Sequence, residues 1–363
     1  GRVRTLLPVS RESRNGVTVL RANGTRFRPR RFAGRVSNYL TYFGSAALAA
    51  ARVGRPDVVV TLTDPPIVGL AAWSAARRSG ARFVFVCEDI FPEVASLLED
   101  FNNPFVNRTL DRVNRFLLRE ADAVIALGDR MRARLVDEKG ADPARIHVIH
   151  NWADCEAIVP GPRDNAFARS NGLADRFVLM HSGNVGLSQN LDVLIEAADR
   201  LRSKERLTIL IVGEGTKRAA LEADAARRGL DNVRFLPYQP KALLHESFAA
   251  ADAFLVSLKA GIEGYIVPSK LYGILAAGRP YVAAVDPSSE AAEIARTYQC
   301  GVLARPGDPA DLAAKIALLY DDRAATQAMG ANARTAALRF DRRTAVRAYY
   351  DLFARLAGVA CAA

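Results

Sequence analysis

Lys270 carries the most pointed chemistry in the 363-residue chain. It follows Pro268-Ser269 at the head of the stretch Leu271-Tyr272-Gly273-Ile274-Leu275-Ala276-Ala277-Gly278-Arg279-Pro280. Ser is a favourable N-cap type, which predicts a helix over 269–277 with Lys270 in its first turn. A cation there opposes the positive end of the helix dipole. An anion offsets that cost, and phosphate is the obvious one; the alternative is a solvated surface lysine. Two small-residue turns point the same way. Ser182-Gly183-Asn184-Val185-Gly186 sits between a strand and a helix, where main-chain N–H groups can approach a phosphate or simply turn the chain. Gly213-Glu214-Gly215 is a second such turn, lining a pocket or only reversing direction. Glu88-Asp89 ends an apolar run. A carboxylate there could take a hydroxyl proton, or serve as a cap or structural pair. His150 and His181 also end strands, but four histidines scattered singly make no metal pattern, so no metal site is expected. G-x-S-x-G, Walker and CxxC signatures are absent from the sequence. Cys87, Cys155, Cys300 and Cys361 lie too far apart for a zinc motif or a disulfide framework. Cys87 reads as core.

These residues need elements to hold them. From residue 57 onward, apolar strands alternate with helices. Strands are predicted at 58–62, 83–87, 123–127 and 146–149, with helices ending near 79 and at 107–120 and 129–139. Pro160-Gly161-Pro162 is the best linker candidate. The alternation then resumes, with strands at 177–181, 207–212, 233–236, 253–258, 281–285 and 301–304. Helices are predicted at 190–201, 217–228, 241–250, 269–277 and 289–298, and three more at 309–321, 323–338 and 342–356 close the chain. Buried strands joined by helices mean parallel sheets covered on both faces. The expectation is α/β: two doubly wound domains in tandem, at 1–160 and 163–340, with 341–363 a C-terminal helix packing back on the first. Ligands bind beyond the C-terminal strand ends of such sheets, so two facing domains would enclose a cleft.

Half of the residues are hydrophobic and a quarter are charged, an ordinary globular balance. The formal charge is +11, and residues 1–35 hold ten arginines against one acid, Glu12. Phe27, Phe32, Tyr39, Tyr42 and Phe43 interleave with them. This segment reads as a solvated arm, or as a basic aromatic surface for anionic lipid head groups. Nucleic-acid binding is disfavoured because the charge is confined to one end. No run reaches the ~20 apolar residues of a membrane span. A reducing cytoplasm is the expected setting, on the inner face of the membrane.

The motifs resemble one family. His147-Val148-Ile149-His150-Asn151-Trp152-Ala153-Asp154 ahead of the linker is similar to the family-4 glycosyltransferases of the GT-B fold, which have two tandem Rossmann-like domains. Met180-His181-Ser182-Gly183-Asn184-Val185-Gly186 with Gln189-Asn190-Leu191-Asp192 resembles their first donor-side turn, and Ile211-Val212-Gly213-Glu214-Gly215 their second. Val267-Pro268-Ser269-Lys270-Leu271-Tyr272 and Gly278-Arg279-Pro280 resemble the branch of fucosamine, colanic-acid and O-antigen transferases. Glu88-Asp89-Ile90-Phe91-Pro92-Glu93 is similar to that branch's acidic loop.

The resemblance implies a nucleotide-sugar donor, UDP- or GDP-linked, bound by the second domain. It implies a lipid-linked saccharide acceptor on the first, retention at the anomeric carbon, and neither metal nor cofactor. Asp89, Glu88 and Glu263 are the candidate catalytic residues. Gly183, Asn184, Gly213, Glu214, Ser269, Lys270 and Glu290 are the candidate donor contacts. Three departures bear on this. Gly273 stands where the family places the second Glu of Glu-x7-Glu. Tyr265 stands at the first, with Glu263 two residues away. Gln189 replaces the usual Lys, which leaves the phosphate charge to Lys270, helped by Arg279, and the ribose to Glu290 or main chain. The family also opens with a strand and a Gly-rich acceptor loop, so the chain is expected to be a piece whose first domain lacks its central strand. The rival readings are a UDP-sugar 2-epimerase, and a degenerate partner that binds nucleotide sugar without turnover.

Overall fold

The computed structural model describes residues 9–27, 32–98 and 103–359. The chain forms two compact units. The first runs through Leu127 and includes Arg132–Val148 and the residues from Tyr349 on; the second comprises Gly128–Met131 and Ile149–Ala348.

The first unit opens on an antiparallel hairpin of β1 (Val9–Arg14) and β2 (Val17–Ala22). Asn15 and Gly16 turn it with φ of 51° and 80°, the doubly positive pattern of a type I′ turn. A loop then leads to α1 (Phe32–Ala51). Asn38 and Thr41 hold that loop, accepting at 2.9 Å from the N–H groups of Phe27 and Thr25. Among the described residues of the segment read as a solvated arm or a basic aromatic surface, 9–22 form this hairpin and α1 begins at Phe32. Arg2, Arg4, Arg28, Arg30 and Arg31 lie outside the described residues, as do Cys361 and the side chains of Phe32 and Arg35.

The alternation expected from residue 57 is present. β3 (Val58–Leu62), α2 (Val68–Ser79), β4 (Arg82–Cys87), α3 (Glu93–Leu97), α4 (Pro104–Glu120), β5 (Ala123–Ala126), α5 (Asp129–Asp137) and β6 (Ile146–Val148) follow in turn. The four strands form a parallel sheet in sequence order. Asn103 caps α4, its side chain accepting from Phe105 and Val106 N–H, with Pro104 at the first helical position. Gly69 lets α2 approach α4, since a Cβ there would lie 2.5 Å from a Leu117 methyl. Just past α5, the buried ammonium of Lys139 donates to Glu93 and Asp111 at 2.7 Å and to the Phe91 carbonyl at 3.2 Å. That triple contact pins the loop that follows β4.

The second unit contains α6 (Ala166–Ser170), β7 (Phe177–Ser182), α7 (Asp192–Arg200), β8 (Leu207–Val212), α8 (Arg218–Arg228) and β9 (Val233–Leu236). Then come α9 (Leu244–Ala249), β10 (Ala253–Ser257), α10 (Lys270–Ala276), β11 (Tyr281–Ala284), α11 (Glu290–Tyr298) and β12 (Gly301–Ala304). Helices α12 (Pro309–Asp321), α13 (Arg323–Ala337) and α14 (Arg342–Ala357) complete the chain. The helix expected at 241–250 is a 3₁₀ turn, Lys241–Leu243, followed by α9. The parallel sheet has the order β12-β11-β10-β7-β8-β9. Its core includes Phe177, Leu179, Ile195, Ile209 and Leu255, all at most 1% exposed. Each such side chain contributes about 1.5–3 kcal/mol on burial.

Candidate functional site

Strand order reverses between β7 and β10 in the second unit, because β7 leads to β8 on one side and β10 leads to β11 on the other. Crevices form outside the C-terminal ends of strands at such a switch point. β7 and β10 share only two residue pairs, Leu179 with Ala253 and Met180 with Phe254. Past those pairs, β7 carries His181 and the Gly183 turn. The connection after β10 carries Glu263, Ser269 and Lys270.

Lys270 lies against the turn. Its Nζ is 3.3 Å from His181 Nε2, and its Cε and Nζ stand 3.4 Å from where a Cβ on Gly183 would sit. Burial lowers the Lys270 ammonium to about 7, because an ion without its water shell favours its neutral form. His181 is fully buried, and burial followed by the Lys270 charge holds it well below the usual histidine range. Its Nε2 is 3.2 Å from the Asn184 carbonyl, and its Nδ1 has no hydrogen-bond partner among the described residues. Ser269 occupies the N-cap position in helical geometry, with no side-chain cap bond. The capping role expected of it is absent, because at φ −58° and ψ −24° it extends the helix instead of entering from an extended backbone.

The two small-residue turns are bonded to each other. Gly183 N–H donates to Val212 O, Val185 N–H to Glu214 O, and Lys217 N–H to Val185 O. A Cβ on Gly213, at φ 146°, would fall 1.9 Å from Gly183 O, and one on Gly215 2.2 Å from Val185 O. These glycines are there for main-chain contact between turns. Gly186 N–H is taken by Gln189 Oε1 at 3.0 Å. Three N–H groups of the first turn are thus occupied. Asn184 is exposed. Glu214 is paired to Arg218 at 2.9 Å.

Glu263 is partly buried and bridges Ile266. Glu290 is buried, 5% exposed, and its Oε1 accepts from the N–H groups of Arg130 and Met131, which group with this unit. That oxygen is engaged in holding main chain. Arg279 donates to the carbonyls of Gly161 and Ala249, at the far end of α10 from Lys270. A Cβ on Gly273 would meet the Phe248 ring at 3.2 Å and Ile158 at 3.8 Å, so that position faces apolar side chains.

In the first unit, Glu88 and Asp89 follow β4, and Thr63 Oγ1 accepts both of their N–H groups at 3.2 Å. Burial, then the charges of Glu88 and Asp64, lift the Asp89 carboxyl to about 6. Burial and Asp64 raise Glu88. Sequence reasoning missed Asp64. Its signal was its place at the end of β3, the counterpart of Glu88-Asp89 on the neighbouring strand. It also missed the contact of His181 with Lys270. Among the described residues no group of three His, Cys, Asp or Glu is placed to hold a metal, and no helix is long and apolar enough to cross a membrane.

Comparison with known proteins agrees with this architecture. The model described as glycosyl transferases group 1 matches residues 163–336, and the glycosyl transferase 4-like domain matches 3–152. WbjE of Pseudomonas aeruginosa, named as a glycosyltransferase, is 30% identical over 271 residues, 72% of this chain and 66% of its own. WcaI of Escherichia coli K12, named for colanic acid biosynthesis, is 30% identical over 259 residues, 69% of this chain and 63% of its own. The chain thus spans about two thirds of the length of these curated relatives. The crystal structure of Anabaena HepE with UDP-glucose superposes with a TM-score of 0.72 at 21% identity, covering 90% of this chain and 84% of that one. The fold is GT-B-like α/β with two Rossmann-like units, and the chain belongs to the glycosyltransferases that carry a 4-like domain followed by a group 1 domain.

Proposed function

We propose that the chain transfers a sugar from a UDP- or GDP-sugar to a lipid-linked saccharide during assembly of a cell-surface polysaccharide. One observation carries the reading: a partly buried lysine, lowered by burial with no carboxylate to counter it, stands at the switch point of the second sheet. A diphosphate is the anion that such a crevice takes. Lys270 offsets the charge that develops on the leaving diphosphate, in a site where a cation is worth more than in water. Asp89 orients the acceptor hydroxyl or takes its proton, with Glu88 beside it. No protein nucleophile is invoked. The reading takes the reaction as retaining and independent of metal and cofactor. The UDP-glucose held by HepE supports the donor class, and the naming of WcaI for colanic acid supports the product class.

The protein is placed on the inner face of the cytoplasmic membrane, in contact with anionic lipid and not nucleic acid. Exposed Phe27, and Tyr39, Leu40 and Leu48 on α1, support that placement beside the arginine-rich segment.

A thermal-shift panel of UDP- and GDP-sugars tests the donor assignment. A ligand at 100 times its Kd stabilises by about 2.7 kcal/mol. Lys270→Ala should weaken that binding by roughly 10- to 100-fold, the loss of one charged hydrogen bond. Unchanged nucleotide affinity in Lys270→Ala removes the assignment.

A further inference from the structure

We propose that Lys270 waits as a neutral amine in the donor-free protein, held so by the His181 ring, and takes up one proton from the medium when the donor diphosphate arrives. This rests on the donor-site reading above.

The hydrogen-bond arithmetic of His181 carries the inference. Nε2 lies 3.2 Å from Asn184 O and 3.3 Å from Lys270 Nζ. The carbonyl can only accept, so the ring hydrogen belongs on Nε2. That same hydrogen then faces Nζ. A neutral amine has a lone pair to receive it; an ammonium has only hydrogens and is repelled. The other tautomer would offer a lone pair to an ammonium. It would also bury an N–H at Nδ1, which has no acceptor among the described residues. A buried unpaired N–H is the costlier orphan, so the geometry selects Nε2–H and with it the amine.

Neighbouring charges do not overturn this. Glu214 is paired to Arg218. Glu290 accepts two main-chain N–H groups. Arg334, on α13 against α10, donates to the carbonyls of Cys155, Ile158 and Ala276. Lys259 and Glu263 lie in the loop before α10, and neither charge contributes to the lowering of Lys270. A diphosphate reverses the balance, because its charge favours the ammonium.

The test is calorimetry of UDP- and GDP-sugars in buffers of different ionisation enthalpy, from pH 6 to 8.5. A nucleotide sugar is chosen over free UDP because its diphosphate is esterified at both ends and does not titrate near neutrality. The bound proton therefore comes to the protein. Uptake should approach one proton per donor at pH 8 and fall towards zero at pH 6. Lys270→Arg, always charged, should bind without uptake. His181→Gln presents a carbonyl that accepts from the ammonium, so its uptake should begin at higher pH; a histidine that merely fills space leaves the profile unmoved. Melting curves confirm that each variant is folded, and Lys270→Arg alone decides the case if His181→Gln is not. Binding without uptake at pH 8 overturns the proton coupling and leaves the donor site standing. No binding of any nucleotide sugar overturns both.

Discussion

Replacing Asp89 by Asn should make the protein more stable and less active. The Asp89 carboxyl is lifted from 3.8 to about 6, by burial first and by Glu88 and Asp64 second. A folded-state value above the unfolded one means that the folded chain holds the proton more tightly, so the ionised form costs stability. That cost is complete above about pH 6 and vanishes as the pH falls below about 4. Two pH units at 1.36 kcal/mol each make about 3 kcal/mol. Screening of a side chain that keeps some exposure brings this nearer to 2 kcal/mol. Asn cannot ionise, and the main-chain bonds of residues 88 and 89 to Thr63 do not involve the carboxyl. The variant should therefore melt roughly 5 °C higher at pH 8, with the gap closing towards pH 4. Turnover should drop by about 10²-fold or more if the carboxylate handles the acceptor proton. Thermal melts at the two pH values and one transfer assay decide it. A variant no more stable than wild type at pH 8, or a gap that persists at pH 4, refutes the electrostatic account of this loop.

Gly213→Ala should destabilise on the order of 2–4 kcal/mol, because its Cβ would lie 1.9 Å from Gly183 O at a φ of 146°; a melt within a degree of wild type would show that the two turns can separate freely. Liposome flotation should recover the protein with anionic vesicles, less as salt rises, each Arg contributing about 1 kcal/mol within a Debye length of about 10 Å. Arg28, Arg30, Arg31 and Arg35 replaced by Gln should abolish recovery, and equal recovery with neutral vesicles would rule out the lipid surface.

Much of the fold was legible because its strands are apolar on both faces. Runs such as 207–212 cannot pack anywhere but between helices, and all six residues of β8 are buried. The first fifty residues hid their structure behind composition. Asn15-Gly16 is a strong hairpin signal, yet arginine density makes the flanking strands resemble a solvated arm. Helix α1 is built of Ala, Gly, Ser and Thr as much as of apolar residues, and shows little periodicity for the eye to follow. Of the candidate site, the sequence showed where Lys270 and Asp89 lie, one in a helix first turn and one past a strand end, and in both burial works against the charge. The site was not legible at Ser269, since a good cap residue caps only if the preceding chain enters extended. Nor could the sequence show that the N–H groups of Gly183 and Val185 are spent on the next turn, because that depends on a contact between segments some thirty residues apart.

The two conflicting charges lean in opposite directions, and this bounds the pH at which both are ready. Asp89 is a carboxylate above about 6. Lys270 is an ammonium in the free protein below about 7. The profile of kcat/KM reports groups of the free enzyme, so it should be a narrow bell with its optimum between those values. The acid limb belongs to Asp89 and the alkaline limb to Lys270. Lys270→Arg should straighten the alkaline limb and leave the acid limb in place. The profile of kcat reports the donor-bound enzyme, where the diphosphate holds the ammonium, so its alkaline limb should lie at higher pH than that of kcat/KM. Alkaline limbs that coincide in the two profiles, or one that survives Lys270→Arg, would assign that limb to another group and separate Lys270 from the chemistry.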